Sequence, residues 1–265
     1  MNDNETQVLS EVVDSNIKLL TLKGERTRNS IGLAQYKAVR AEIVDAGNDP
    51  QIRAIILQGA GGFFSSGGNV SALKEGRNQP LSEVSRNTDA LAAMILAIRH
   101  CPKPVIAAVE GGAAGLGLSL ALSCDMIAAS GSAKFTAAYV KIGLTPDGGA
   151  THFLSECLPR QLVSELCMLG RPASADRLYA AGAINMLTDD GEALNAALDL
   201  ARACAVGASG AISVIKGEIA QAQVNGLAEQ IELESRYINK ARYGSEAGEG
   251  LQAFLEKRKP VFSPS

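Results

Sequence analysis

Histidine is scarce in this 265-residue sequence: His100 and His152 are the only two. That inventory excludes a metal site built from several imidazoles. Cysteine offers little more. Cys101, Cys124, Cys157, Cys167 and Cys204 are irregularly spaced and form no CxxC pair, which excludes a disulfide framework and fits a reducing compartment. A charge excess is also missing. The 25 Lys and Arg are balanced by 28 Asp and Glu, for a formal net charge of -3, so nothing points to nucleic acid or anionic lipid. The longest apolar stretch, 105–122, is broken by Glu110 and by glycines. Without ~18 consecutive apolar residues, no membrane-spanning helix is expected. The opening residues, Met1 to Glu5, are polar, so no secretory signal and a cytoplasmic setting are expected.

A large apolar fraction remains. Residues of the hydrophobic class make up 46% of the chain and charged residues 20%, enough for a packed core and too apolar for disorder. Residues 8–13 and 17–22 alternate as strands, with Asp14-Ser15-Asn16 as the turn between them. Helical spacing covers 33–46 and 82–100. Short buried-type strands are expected at 53–57, 104–109, 125–129, 134–136 and 184–187. The polar, Gly/Pro-punctuated residues 70–80 read as a mobile segment. From 150 onward almost every pattern is helical: 150–158, 160–169, 175–181, 193–206, 210–224, 227–243 and 246–257. Strand and helix alternate first and helices follow, which predicts an α/β core with parallel strands and a helical C-terminal extension.

Two loops share one design: each follows a buried strand, is rich in glycine and precedes a helix. They are Gly61-Gly62-Phe63-Phe64-Ser65-Ser66-Gly67-Gly68 and Gly111-Gly112-Ala113-Ala114-Gly115-Leu116-Gly117. Glycine lets a backbone approach a ligand closely, and N–H groups at a helix start have no intrahelical partner. Two such donors converging on one oxygen would hold an oxyanion; the glycines alone would equally serve tight turns and close packing. Neither loop ends in the Gly-Lys-Ser/Thr of a P-loop, and neither completes GxGxxG. Gly117-Leu118-Ser119-Leu120-Ala121 approaches a nucleophile elbow, but Ser119 falls inside the following helix rather than on the turn.

Asp147 lies in a Pro-Asp-Gly-Gly turn between apolar segments. It has two readings. As the N-cap of the next helix its carboxylate would be stabilised and its pKa lowered. As a general base it would gain from burial that raises the pKa. His152 reads as a helix-face residue, Ser119 and Tyr139 as packing residues, and Lys257-Arg258-Lys259 as a solvated tail.

Several segments together resemble the crotonase (enoyl-CoA hydratase/isomerase) superfamily. They are Phe64-Ser65-Ser66-Gly67-Gly68-Asn69, Pro104-Val105-Ile106-Ala107-Ala108-Val109-Glu110-Gly111, Ala114-Gly115-Leu116-Gly117, Cys124-Asp125, Gly143-Leu144-Thr145-Pro146-Asp147-Gly148-Gly149 and Phe254-Leu255-Glu256-Lys257-Arg258. The resemblance runs in order along nearly the whole chain. It implies an α/β fold made of a spiral of ββα units with the active site (residues 1–190), and a C-terminal helical trimerisation region (191–265). It also implies homotrimers or dimers of trimers, an acyl-CoA thioester substrate, and no cofactor or metal beyond the coenzyme A carried by that substrate.

Carried over position by position, the superfamily's two oxyanion-hole amides fall on Gly68 and Leu116, where the second position is usually glycine. The two glutamates of its hydratases fall on Ser119 and Tyr139, neither of which is a carboxylate. A third catalytic position, used by several isomerases, falls on Asp147. That combination is similar to the isomerase branch, which keeps only the aspartate. Ser66 and Asn69 would lie by the adenine of coenzyme A, Ser119 and Tyr139 would line the acyl pocket, and Arg28 and Lys259 are candidate cations for its phosphates. Isomerisation is the expected activity; hydration or hydrolysis by an Asp147-activated water is the alternative, and a non-catalytic acyl-CoA binder a third.

Overall fold

The computed structural model describes residues 5–262. The chain opens with an antiparallel hairpin, β1 (Gln7–Val13) and β2 (Ile17–Lys23). Its turn places Asp14 and Ser15 at φ of 51° and 66°, a left-handed conformation that short polar side chains tolerate better than most. Helix α1 (Leu33–Asn48) leads to β3 (Ala54–Gly59). Two further helices, α2 (Val70–Gly76) and α3 (Leu81–His100), precede β4 (Val105–Val109). Then follow β5 (Gly112–Ala114), α4 (Leu116–Ser123), β6 (Met126–Ser130) and β7 (Lys134–Thr136). Helices α5 (Ala150–Cys157) and α6 (Arg160–Leu169), β8 (Ala173–Ser174), α7 (Ala175–Ala180) and β9 (Met186–Thr188) close the strand-bearing part. Among the described residues four helices come last: α8 (Ala193–Ala205), α9 (Ser209–Ala222), α10 (Leu227–Ala241) and α11 (Ser245–Leu255).

The larger sheet has the order β1-β2-β3-β4-β6-β9, and all its neighbours except β1 and β2 run parallel. Strands β3 and β4 read as continuous apolar runs because both faces of the sheet are covered. Ile55, Leu57, Val105, Ala107 and Val109 face one core, shared with Val39, Ile43, Met94 and Ile98 of α1 and α3. Ala54, Ile56, Ile106 and Ala108 alternate onto the other face and meet Ala193, Ala196, Ala197 and Ala201 of α8. The small alanine side chains of α8 bring the helix close to the strands. The packed unit built around this sheet therefore runs through Ala205. A smaller sheet, β5-β7-β8, stands apart from the first.

Three local expectations are corrected. Residues 70–80 contain the helix α2, begun by Asn69, whose Oδ1 accepts from the Ala72 N–H at 3.2 Å. The second glycine loop is not all loop: 112–114 form β5, because Gly111 and Gly112 at φ of 60° and 157° swing the chain from β4 into the second sheet. The pair β7 and β8 is short enough that residues 173–174 carry no strand pattern of their own.

Helices α9 and α10 bury none of their residues, and α11 buries only Ala253. Ile215, Ile219, Leu227, Ile231, Ile238, Phe254 and Leu255 are all more than half exposed. Lys216 fastens α9 to the core. Its Nζ donates to Asp125 Oδ2 at 2.7 Å, to Ile98 O at 3.0 Å and to Lys103 O at 3.2 Å, so it also neutralises the negative end of α3. No single helix among the described residues is long and apolar enough to cross a membrane.

Candidate active site

The first glycine-rich loop is held from beneath by Asn29, which is fully buried. Its Nδ2 donates to Phe63 O at 2.6 Å and to Ala60 O at 2.8 Å, while its Oδ1 accepts from Gly24 N at 2.8 Å. Ser65, also fully buried, donates to Asn29 O at 2.8 Å and accepts from Gly67 N at 3.1 Å. These two residues form the scaffold of the loop, yet sequence reasoning assigned neither a role. Their partners lie up to 36 residues away, so no local pattern could have shown them.

Ile31 pairs with the loop as a parallel bridge: its N–H donates to Gly67 O and its carbonyl accepts from Asn69 N. Both bonds straddle Gly68, so the Gly68 N–H is directed away from Ile31. In the second loop Leu116 is the first residue of α4, where a backbone N–H has no carbonyl one turn back. The loops interlock. Ala114 N donates to Ser65 O at 3.0 Å. Gly67, at φ +93°, presses so close that a Cβ there would lie 2.5 Å from Ala114 O and 2.8 Å from Leu116 N. Gly68 and Leu116 are thus brought into adjacent backbone.

The third segment is the 143–149 turn. Gly148, at φ +57°, would place a Cβ 2.7 Å from Leu116 Cδ1 and 3.1 Å from Ser119 Cβ. This contact seats Asp147 against α4. Tyr139, on the 3₁₀ turn Ala138–Ile142, donates to Asp147 Oδ1 at 2.8 Å. Ser119 Oγ donates to the Asp147 backbone carbonyl at 2.9 Å and lies 3.0 Å from Tyr139 Oη. Ser119 and Tyr139 are buried. Asp147 reaches the surface as a residue, but its carboxylate is turned onto the buried Tyr139 hydroxyl. Lost hydration on that side pushes its pKa above the ordinary value, although the Tyr139 hydrogen bond pulls the other way. The Tyr139 phenol is raised by burial and then by the Asp147 charge. Tyr36 is raised to about 12 for the same two reasons.

The capping reading of Asp147 is overturned. The N-cap of α5 is Gly149, in a left-handed conformation, and the carboxylate faces Tyr139 instead. The elbow reading fails as well: Ser119 sits within α4, and the exposed His152 pairs with Glu156 at 3.0 Å. Ser66 and Arg28 meet on the first loop. Ser66 Oγ donates to Thr27 O, its N–H donates to Arg28 O, and the Arg28 guanidinium lies 5.3 Å from the Phe63 ring centre. Asn69 spends its side chain on the α2 cap. Lys259 lies beyond α11, next to Arg258, which is bound to Glu249. Among the described residues, no group of three or more His, Cys, Asp or Glu is placed to hold a metal ion.

Comparison with known proteins shows the family. The family model for enoyl-CoA hydratase/isomerase matches residues 13–264. The 1,2-epoxyphenylacetyl-CoA isomerase of Escherichia coli K12 is 32% identical over 252 residues, covering 95% of this chain and 96% of its own. A probable enoyl-CoA hydratase of Rhodobacter capsulatus is 31% identical over equal coverage. Among solved structures, an enoyl-CoA hydratase from Polaromonas sp. JS666 superposes with a TM-score of 0.94 at 38% identity, over 97% of this chain and 99% of that one.

Proposed function

Since the chain belongs to the enoyl-CoA hydratase/isomerase family and is an acyl-CoA-processing enzyme of the crotonase superfamily, we propose that it isomerises an enoyl-CoA-type thioester. The thioester carbonyl is held by the N–H groups of Gly68 and Leu116. Asp147 removes a proton from a carbon α or γ to that carbonyl. The negative charge moves onto the carbonyl oxygen as an enolate, and the two amides stabilise it; one such donor is worth roughly 10²–10³ in rate. Asp147 then returns the proton at a different carbon. Atoms balance without water, so no second acid is needed.

One observation carries this reading. Asp147 is the carboxylate seated against Ser119 and Tyr139, the positions onto which the resemblance to the superfamily places the glutamates of its hydratases. Lost hydration raises its pKa above the ordinary value, the direction that favours a general base. Ser66 of the first loop, Asn69 just after it and Arg28, whose carbonyl accepts from Ser66 N, are proposed to face the coenzyme A part of the substrate, with Lys259 of a neighbouring subunit as a second cation. The exposed apolar side chains of α9–α11 support assembly as a trimer or dimer of trimers.

Hydration by an Asp147-activated water is the second reading, favoured by the hydratase names among similar proteins. Replacing Asp147 by Asn separates catalysis from binding. Isomerisation is expected to fall by about 10²–10⁴ while acyl-CoA affinity persists; isomerisation at the unaltered rate would overturn the proposal.

A further inference from the structure

Three close oxygen contacts join Asp147, Tyr139 and Ser119; a fourth, from Tyr139 Oη to the Asp147 carbonyl, is longer at 3.4 Å. Tyr139 Oη meets Asp147 Oδ1 at 2.8 Å, Ser119 Oγ meets the Asp147 carbonyl at 2.9 Å, and the two hydroxyls meet each other at 3.0 Å. Each hydroxyl carries one hydrogen, and the carbonyl can only accept. With Asp147 ionised there are two hydrogens for three contacts. Tyr139 donates to Oδ1, Ser119 donates to the carbonyl, and the contact between the hydroxyls is left without a donor. With a proton on Oδ1 there are three hydrogens for three contacts. Asp147 then donates to Tyr139, Tyr139 donates to Ser119, and Ser119 still donates to the carbonyl.

We infer that Tyr139 is a positioning residue that serves Asp147 in both protonation states, donating to the anion and accepting from the acid, with Ser119 as the acceptor that permits the reversal. In the ionised state Tyr139 fixes Oδ1, and the bond reverses when that same oxygen carries the proton. This rests on the reading of Asp147 as the proton carrier, and it gives Ser119 and Tyr139 work on the carboxylate rather than on the acyl group. No charged side chain forms an ion pair with Asp147 among the described residues. The titratable groups facing it are Tyr139 from the 3₁₀ turn and Tyr36 from α1; α4 contributes only the neutral Ser119, and the nearby His152 of α5 is engaged with Glu156.

Two conservative variants should move Asp147 in opposite directions. Tyr139→Phe removes the donor to the anion and should raise its pKa by roughly one unit. Ser119→Ala removes the nearer acceptor that Tyr139 needs only when Asp147 is protonated, leaving the Asp147 carbonyl at 3.4 Å, and should lower it. Both are read by titrating carboxyl-¹³C-labelled aspartate by NMR in the full chain without substrate, with the Asp147 signal assigned by its loss in Asp147→Asn. Opposite shifts support the inference. Shifts of the same sign, or no shift in either variant, overturn it. Because no turnover is measured, retained isomerisation by Asp147→Asn would overturn the proposed function while the titration still decides this point. Should Tyr139→Phe not fold, an unchanged or raised pKa in Ser119→Ala is by itself enough to overturn it.

Discussion

Burial lifts the Asp147 pKa in the folded chain above that of the unfolded chain, so the fold binds this proton more tightly than the coil does. The sign follows from linkage. The stability associated with that proton is fully present below the unfolded value, about 3.9, and is lost as the pH rises through the folded one. At neutral pH the ionised side chain therefore works against folding. Asp147→Asn is expected to raise the melting temperature at pH 7, with the gain shrinking as the pH approaches 4. Thermal melts at the two pH values test this; equal or lower stability of the variant at pH 7 would contradict it. Asparagine keeps an oxygen for the Tyr139 hydroxyl, so hydrogen bonding is conserved while the charge is removed. At this scale the sequence was legible in part. The Pro-Asp-Gly-Gly turn marked Asp147, but whether its carboxylate capped α5 depended on where the helix began. Gly149 took that position because its φ of +82° suits glycine. The hydroxyls of Ser119 and Tyr139 had no readable partner, since the bonds joining them to Asp147 span 28 and 8 residues.

Between elements, the site depends on glycines that permit contact between backbones. Gly67 combines a positive φ with a Cβ position blocked by Ala114 O and Leu116 N. Gly67→Ala must push the two loops apart and separate the Gly68 and Leu116 amides. We expect kcat/KM to fall by at least about 10², with acyl-CoA still bound through the first loop. Steady-state kinetics and calorimetric binding read the two effects separately, and unimpaired turnover would show that the amides are not used together. A second junction, where α9 meets the core, rests on Lys216. Lys216→Met leaves the partly buried Asp125 with the Val105 N–H but without its lysine, with burial already raising its pKa. Such a broken pair costs about 3 kcal/mol, measurable as a lower urea midpoint; an unchanged midpoint would remove Lys216 as a fastening. Strands β3 and β4 were readable because residues 54–57 and 105–109 are uninterrupted apolar runs buried on both sides. The three residues of β5 were hidden by their glycine-rich setting, and α2 by its polar surface.

For the molecule as a whole, the alternation of strand and helix followed by helices correctly indicated the α/β core and the helical end. It did not show that α8 belongs to the sheet, because its alanines carry little hydrophobic signal of their own while fitting closely against β3, β4 and β6. Beyond α8, Ile215 and Ile219 of α9 and Leu227, Ile231 and Ile238 of α10 stay more than half exposed. Ile215, Ile219 and Ala222 line a groove with Gln230 and Glu234 of α10. If this face joins subunits, Ile219→Glu buries a charge at the contact and should convert an assembly of three or six chains into monomers. Sedimentation equilibrium distinguishes the masses; a wild-type monomer, or an unaltered assembly in the variant, would contradict the placement of the interface.

The most direct test of a lone carboxylate moving one proton on an acyl-CoA is turnover of linear and aromatic enoyl-CoA thioesters in H₂¹⁸O, followed by product mass and double-bond position. A double bond moved without gain of oxygen, and lost in Asp147→Asn, is the expected result. A product heavier by one ¹⁸O-labelled water, or full isomerisation by Asp147→Asn, would contradict it.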